Sequence, residues 1–319
     1  MDIELKEKVK IFIELNDEFK RNLRWDGKEI NCLASLIANV SEKGINEKRM
    51  KTIRKYIRRN TRFNSKFRGE FKNIFSILMN GRKDYEEVFE NTKYINSSLI
   101  DRGFKDNKEA LYASFLLSKR FKGEELEEKL SKLFNIKYEL EKNKYDFLLN
   151  EDYIVYVYLT TIDKNFEEII EEIKNIDLKV KSLDLNTNGN LETLYVSLLV
   201  TNLDLENKTE RAIKIRKTLM ENYNFIDDDI CPLIGLASSF VKNDEVFSKG
   251  VCNIYEMLSE KNNFNSNGLS RKFIFKISLC IVLMRYLEYI KGDIIDVDTE
   301  EEEDLIYIIE EYIAFSVIL

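Results

Sequence analysis

Residues 191–199 read LETLYVSLL, and their spacing decides the fold class. Leu191, Leu194, Tyr195, Leu198 and Leu199 fall at i, i+3, i+4, i+7 and i+8, one apolar stripe of a helix. Similar openings stand near Ile30, Phe71, Glu109, Asp152, Cys231 and Ser270, so the stripe recurs at intervals of 38 to 43 residues. A charged connection and a second amphipathic helix follow each opening, as with Val88, Thr92, Ile95 and Leu99, or Ile169, Ile173, Ile176 and Val180. The repeating unit reads as a helical hairpin whose first member is the opening helix.

Between units lie polar stretches that each hold one large apolar residue, expected to anchor the turn: Phe63, Phe104, Phe147, Leu185, Phe225 and Phe264. Ser65, Asp106, Asn150, Asn188, Asp227 and Ser266 follow these anchors and can each cap a helix, while Pro232 suits a first turn. A lone hairpin buries about six to eight large side chains at roughly 1.5–3 kcal/mol each, against roughly 1–2 kcal/mol of backbone entropy per ordered residue. It therefore has to stack on neighbours.

The spacing predicts an all-α chain built as an α-α superhelix, a solenoid of about seven stacked hairpins with a period of about 40 residues, open or curved towards an α/α toroid. One domain is expected over 1–319, with an N-terminal cap helix at 1–29, hairpin repeats over 30–290, and an acidic loop and C-terminal capping helix at 291–319. The apolar tail 312–319 (YIAFSVIL) is expected to pack on the last hairpin or to form an interface.

Composition agrees. One proline and 11 glycines in 319 residues are too few for the turns of a hairpin-rich sheet, and 44% hydrophobic with 34% charged residues is a folding composition. The four cysteines show no CxxC spacing and sit in apolar or helical stretches, which suggests neither a disulfide framework nor a zinc site and fits a reducing cytoplasm. The first ten residues lack the apolar run of a signal peptide, and Lys276 and Arg285 interrupt the apolar stretch 273–290, so no membrane insertion is expected.

Histidine is absent, which removes Ser-His-Asp and Cys-His mechanisms and imidazole metal ligands. No GxGxxG, GxxxxGK or HExxH motif occurs. No catalytic residue, cofactor or metal is predicted. Glu167, Glu168, Glu171 and Glu172 read as a solvated helix face, or as the acids of a carboxylate-based enzyme if the hairpins close into a toroid.

The strongest local signal is electrostatic. Residues 47–72 hold eleven Lys or Arg against two Glu, a charge of +9 that leaves the remainder at −16 within a net −7. Lys51, Arg54, Lys55, Arg58, Arg59 and Arg62 follow helical spacing, with Lys66 and Arg68 in the loop beside Gly69. The segment 48–72 is a candidate contact for nucleic acid or another polyanion, or a solvated face paired with acidic neighbours. Residues 184–189 (DLNTNG) and 263–268 (NFNSNG) resemble half of a calcium loop but lack its closing acid, and read as turns. The acidic run 293–304 and Asp227–Asp229 precede helices, where the dipole favours negative charge. Of the aromatics Tyr112, Phe115, Tyr153, Tyr156, Tyr158 and Tyr195, Tyr158 falls off the main stripe and is the candidate to line a peptide groove.

The stretches 65–69 (SKFRG), 145–153 (YDFLLNEDY), 189–199 (GNLETLYVSLL) and 233–237 (LIGLA) resemble motifs of a bacterial domain-of-unknown-function family, number 4003 of that series and found mainly in Firmicutes. Members often carry histidine near the positions of Lys144 and Val196, and this chain does not. The resemblance implies a bacterial cytoplasmic protein and supplies no reaction. The function expected is a non-catalytic scaffold for a protein or peptide partner, with polyanion binding as the alternative.

Overall fold

The structure, a computed structural model, describes residues 3–23, 26–40, 44–143, 153–182, 191–200, 204–261, 264, 268–291 and 311. Among them every regular element is helical and there is no strand. The openings read from the sequence become the even-numbered helices: α2 (Lys28–Val40), α4 (Glu70–Leu78), α6 (Lys108–Arg120), α8 (Tyr153–Thr161), α10 (Glu192–Leu199), α12 (Cys231–Phe240) and α14 (Arg271–Lys291). Between them run α3 (Glu47–Arg59), α5 (Tyr85–Asp101), α7 (Gly123–Asn143), α9 (Phe166–Ser182), α11 (Leu205–Asn222) and α13 (Asp244–Ser259), with α1 (Ile3–Asn22) in front. The even helices start 38 to 45 residues apart, the period expected. The acidic run 293–304, the tail 312–319, the loop 184–189, Phe147, Asn150, Leu185 and Asn188 lie outside the described residues.

The two sets differ in burial for a reason visible in their composition. The odd helices are amphipathic: in α5, Val88, Phe89, Thr92, Ile95 and Leu99 are fully buried while Glu86, Glu87 and Glu90 face water. The even helices are more deeply buried, and three of them are enclosed on all sides. Every residue from Ala110 to Lys119 of α6, from Tyr153 to Thr160 of α8 and from Leu233 to Phe240 of α12 is buried, so each needs neighbours all round. Each also carries a buried hydroxyl at an equivalent place: Ser35, Ser76, Ser114, Thr160, Ser197, Ser238 and Ser278. All seven donate to a carbonyl three or four residues back, at 2.6–2.8 Å, so a small side chain lets neighbours approach without an orphaned hydrogen.

Residue contacts gather into two compact units, where the sequence suggests one domain over 1–319. One is Glu47–Leu178 with Asn190–Val200, the other Met1–Asn46 with Lys179–Gly189 and Thr201–Leu319. In the first, α3 packs on α4, α5 on α6 and α7 on α8, while α8 also meets α6 and α10. Among helices adjacent in sequence, the extensive pairs are thus an odd helix with the even helix after it, not the opening-helix-first hairpin read from the sequence. Polar clasps fix this register: the Arg54 Nε donates to Ser76 Oγ at 2.8 Å, Thr92 and Ser118 hydroxyls meet at 2.7 Å, and Tyr195 donates to Asp177 at 2.8 Å. The core is aromatic, with the Phe75 ring 4.9 Å from Phe115 and 5.6 Å from both Phe71 and Phe89. Outside it, ion pairs link elements about one period apart: Lys108 with Glu70 at 2.9 Å, Lys122 with Asp84 at 2.7 Å, and Lys66 with Asp106.

In the second unit α11 packs on α12, α13 on α14, and α1 on α2, and both α1 and α2 meet α14. The N-terminal helix forms a hairpin with α2 that meets α14, and its other face is exposed. Its stripe Leu5, Val9, Phe12 and Phe19 is buried, Phe12 stacks on Phe264 at 5.9 Å, and Lys8 and Glu4 pair with Glu288 and Arg285. Among the anchors, Phe104 and Phe264 are buried and Phe225 is half-buried, but Phe63 stands 91% exposed and Phe67 takes its place against Phe71 and Phe89. Ser65 and Asp227 cap single 3₁₀ turns as expected, Asn107, not Asp106, caps α6, and Ser270 caps α14, while Ser266 lies outside the described residues.

Two expectations follow. Phe75→Ala should lower unfolding free energy by about 3–5 kcal/mol in urea denaturation, because its ring fills the centre of the aromatic cluster; a loss below about 1 kcal/mol would contradict that placement. Asp84 accepts two bonds from Arg82 and one from Lys122, which hold its carboxyl well below the usual range despite partial burial. A carboxylate depressed in the folded state contributes stability above its unfolded pKa, near 3.9, and loses it as pH falls through and below that value. Asp84→Asn should destabilise the chain by about 1 kcal/mol or less at neutral pH, since the cluster is partly hydrated. The gap to wild type should close in acid, and a gap unchanged at low pH would refute the assignment.

Candidate polyanion-binding face

Helix α3 carries the sequence EKRMKTIRKYIRR and buries Met50, Ile53 and Ile57 completely. Arg54 lies on that same side of the helical wheel, between Ile53 and Ile57, and is only 9% exposed. Its guanidinium belongs to the α3–α4 clasp with Ser76, so it is removed from the candidate contact set. The positions at i, i+3, i+4 from Met50 give this away in the sequence.

Arg68 is also structural. It folds back over the end of α3, where its guanidinium donates to the carbonyls of Arg58 and Thr61 and, at 3.0 Å, to Thr61 Oγ1. Those carbonyls are the negative, unsatisfied end of the helix, and a cation satisfies them. Lys66 is paired with Asp106, and Lys72 donates to the Arg68 carbonyl at 3.1 Å. Three of the eight candidates, Arg54, Lys66 and Arg68, are thus used by the fold.

Lys51, Lys55, Arg58, Arg59 and Arg62 behave differently. All five are exposed, and none of their side chains has a hydrogen-bond or ion-pair partner among the described residues. Lys51, Lys55 and Arg59 succeed one another at i, i+4 along the helix, so each adjacent pair repels by about 0.2–0.5 kcal/mol. Lys48 extends the row one turn earlier and is likewise exposed. Glu90 of α5, which accepts from Tyr56 of α3 at 3.2 Å, pairs with Lys93 at 2.6 Å. Burial, followed by the Glu90 charge, pushes the Tyr56 phenol up to about 12, so it stays a neutral donor.

Phe63 stands in the turn that follows. It is the most exposed of the large apolar side chains among the described residues, and forgoes about 1.5–3 kcal/mol relative to burial. The Arg68 guanidinium lies 5.9 Å from its ring centroid. The turn itself is fixed: Asn60 N donates to the Tyr56 carbonyl at 3.1 Å, Ser65 N to the Arg62 carbonyl at 3.0 Å, and Thr61 Oγ1 to the Ile57 carbonyl at 2.6 Å. The sequence reading placed Phe63 inside as an anchor; the competing Phe67 four residues on, nearer α4, wins that position.

Other candidate chemistry is spread apart. Tyr158 is 1% exposed, with the Arg120 guanidinium 5.2 Å from its ring centroid, and so does not line an open groove. Tyr112, Phe115, Tyr153, Tyr156 and Tyr195 are buried too. Burial pushes the thiols of Cys32, Cys231 and Cys280 up to about 12, which leaves them protonated and unreactive at neutral pH. The shifted carboxylates run the wrong way for a general acid. Lys179 holds Glu210 down, and the bond and charge of Lys272 outweigh the burial that raises Asp227. Among the described residues no three His, Cys, Asp or Glu side chains converge to hold a metal ion, and no helix is long and apolar enough to cross a membrane.

No curated protein and no solved structure matches the chain. Residues 16–315, nearly its whole length, match the family described as "Protein of unknown function (DUF4003)", and the chain belongs to that family.

Proposed function

We propose that the chain is a non-enzymatic helical-repeat protein that binds a polyanion on the outward face of α3. The observation that carries this reading is the row Lys51, Lys55, Arg58, Arg59 and Arg62, exposed and unpartnered among the described residues, within a chain of net charge −7. Cations such as Lys122 and Lys272 are drawn into ion pairs, with Asp84 and Asp227, whereas the five side chains of this row have no such partner among the described residues and their like charges repel. An approaching row of phosphates or sulfates would relieve that repulsion and release its own counterions. Four free cysteines fit a reducing compartment such as the cytoplasm.

A peptide-binding groove has less support. The aromatics that would line it are buried, and the other exposed large apolar side chains, Ile3, Tyr94, Tyr138, Leu178 and Val246, stand singly on five different helices. The carboxylate-based enzyme has less support, because Asp84, Asp227 and Glu210, among the described residues, are all held below the usual carboxylate range.

Heparin binding followed by fluorescence over a salt series tests the proposal. Affinity should fall steeply with added salt, each lost contact flattening the logarithmic slope by about 0.7–0.9. The combined reversal Lys55→Glu, Arg58→Glu, Arg59→Glu and Arg62→Glu should abolish binding, while Lys249→Glu, on exposed α13, should leave it unchanged. No binding at low ionic strength, or binding indifferent to the four reversals, would overturn the reading.

A further inference from the structure

Resting on the polyanion reading, we propose that the ligand is a single-stranded nucleic acid, with Phe63 as the platform on which one base stacks and Arg58, Arg59 and Arg62 as contacts to the flanking phosphates. The argument begins with the ring. A polysaccharide sulfate or a polyphosphate has no π face and would gain nothing from Phe63, whereas an unstacked base covers an exposed aromatic whatever its identity. The free cations adjoin the ring along the chain: Arg62 precedes it, and Arg58 and Arg59 end the helix one short turn earlier. A cationic track that holds the backbone beside an aromatic that takes the base is how single strands are bound without sequence readout.

The platform is pre-organised. Arg68 grips the carbonyls of Arg58 and Thr61 while lying near the Phe63 ring, so one set of bonds fixes the helix end and the turn that presents the aromatic. Beside the ring, Asn64 is exposed, and an amide there can donate to and accept from a base edge. A duplex keeps its bases stacked on each other and offers this ring nothing without distortion. An anionic membrane is disfavoured because the apolar side of α3, Met50, Ile53 and Ile57, is buried in the protein, leaving Phe63 alone to insert.

The test uses the full chain with labelled oligo(dT) and oligo(rU) of about 15 nucleotides, a length that spans more than one contact. Heparin and phosphatidylserine vesicles serve as comparison ligands. Phe63→Ala should weaken oligonucleotide binding by about 5- to 150-fold and leave heparin binding unchanged, and Phe63→Trp should restore it. Thermal unfolding of each variant should match wild type, because the ring packs against little. Oligonucleotide binding untouched by Phe63→Ala, or weakened no more than heparin binding, would overturn the base-stacking assignment while the polyanion reading stands. Failure of every anion to bind would overturn both. Vesicle binding that needs Phe63, with oligonucleotide binding indifferent to it, would assign the face to a membrane surface instead.

Discussion

An even-numbered helix with apolar residues on every side can be hidden from water only by helices on every side, and the rest of the structure follows from that requirement. α6, α8 and α12 are buried along nearly their whole length, so each is held by its odd-numbered partner and by further helices of its own unit. Burial at this scale makes an unsatisfied polar group costly. The buried hydroxyls accordingly bond back to their own helix, and where an odd helix brings a polar side chain inward, as with Arg54, Thr92 or Asn96, a hydroxyl of the following even helix receives it.

Much of this was legible in the sequence because periodicity is a direct image of which side is buried. The openings near Phe71, Glu109, Cys231 and Ser270 lie within one residue of observed helix starts, and the stripes through Val88 and Ile169 are buried throughout. Pairing was less legible. Only Phe121 and Lys122 separate α6 from α7, a link that suggests an intimate hairpin, yet α6 packs chiefly on α5. What decides is the match between the α5 stripe and α6, with Thr92 meeting Ser118 and Asn96 meeting Ser114, and a match between two faces leaves no local trace in either. The role of α1 was hidden for the same reason, since its partners in α14 lie at the far end of the chain.

The basic segment was legible as a charge excess and opaque in its division of labour. A guanidinium in a clasp, one closing a helix end and one facing water are the same letter. Arg54 could have been assigned from its register with Met50 and Ile57, but Arg68 required the fold of the turn and Lys66 required Asp106, forty residues away. Phe63 was misread because an aromatic in a polar turn is most simply an anchor, and only the seating of Phe67 shows that the anchor's place is taken. Removing the cations that the fold consumes leaves a smaller set with one orientation and one exposed ring in its midst, a sharper candidate than the full segment 48–72.

Hydrogen–deuterium exchange of the full chain, with and without a single-stranded oligonucleotide, locates the contact without altering a residue. Exchange should slow at the end of α3 and through the turn 60–65, with the even-numbered helices equally protected in both states. Unchanged exchange in that turn alongside protection on another element would contradict a binding site at this face.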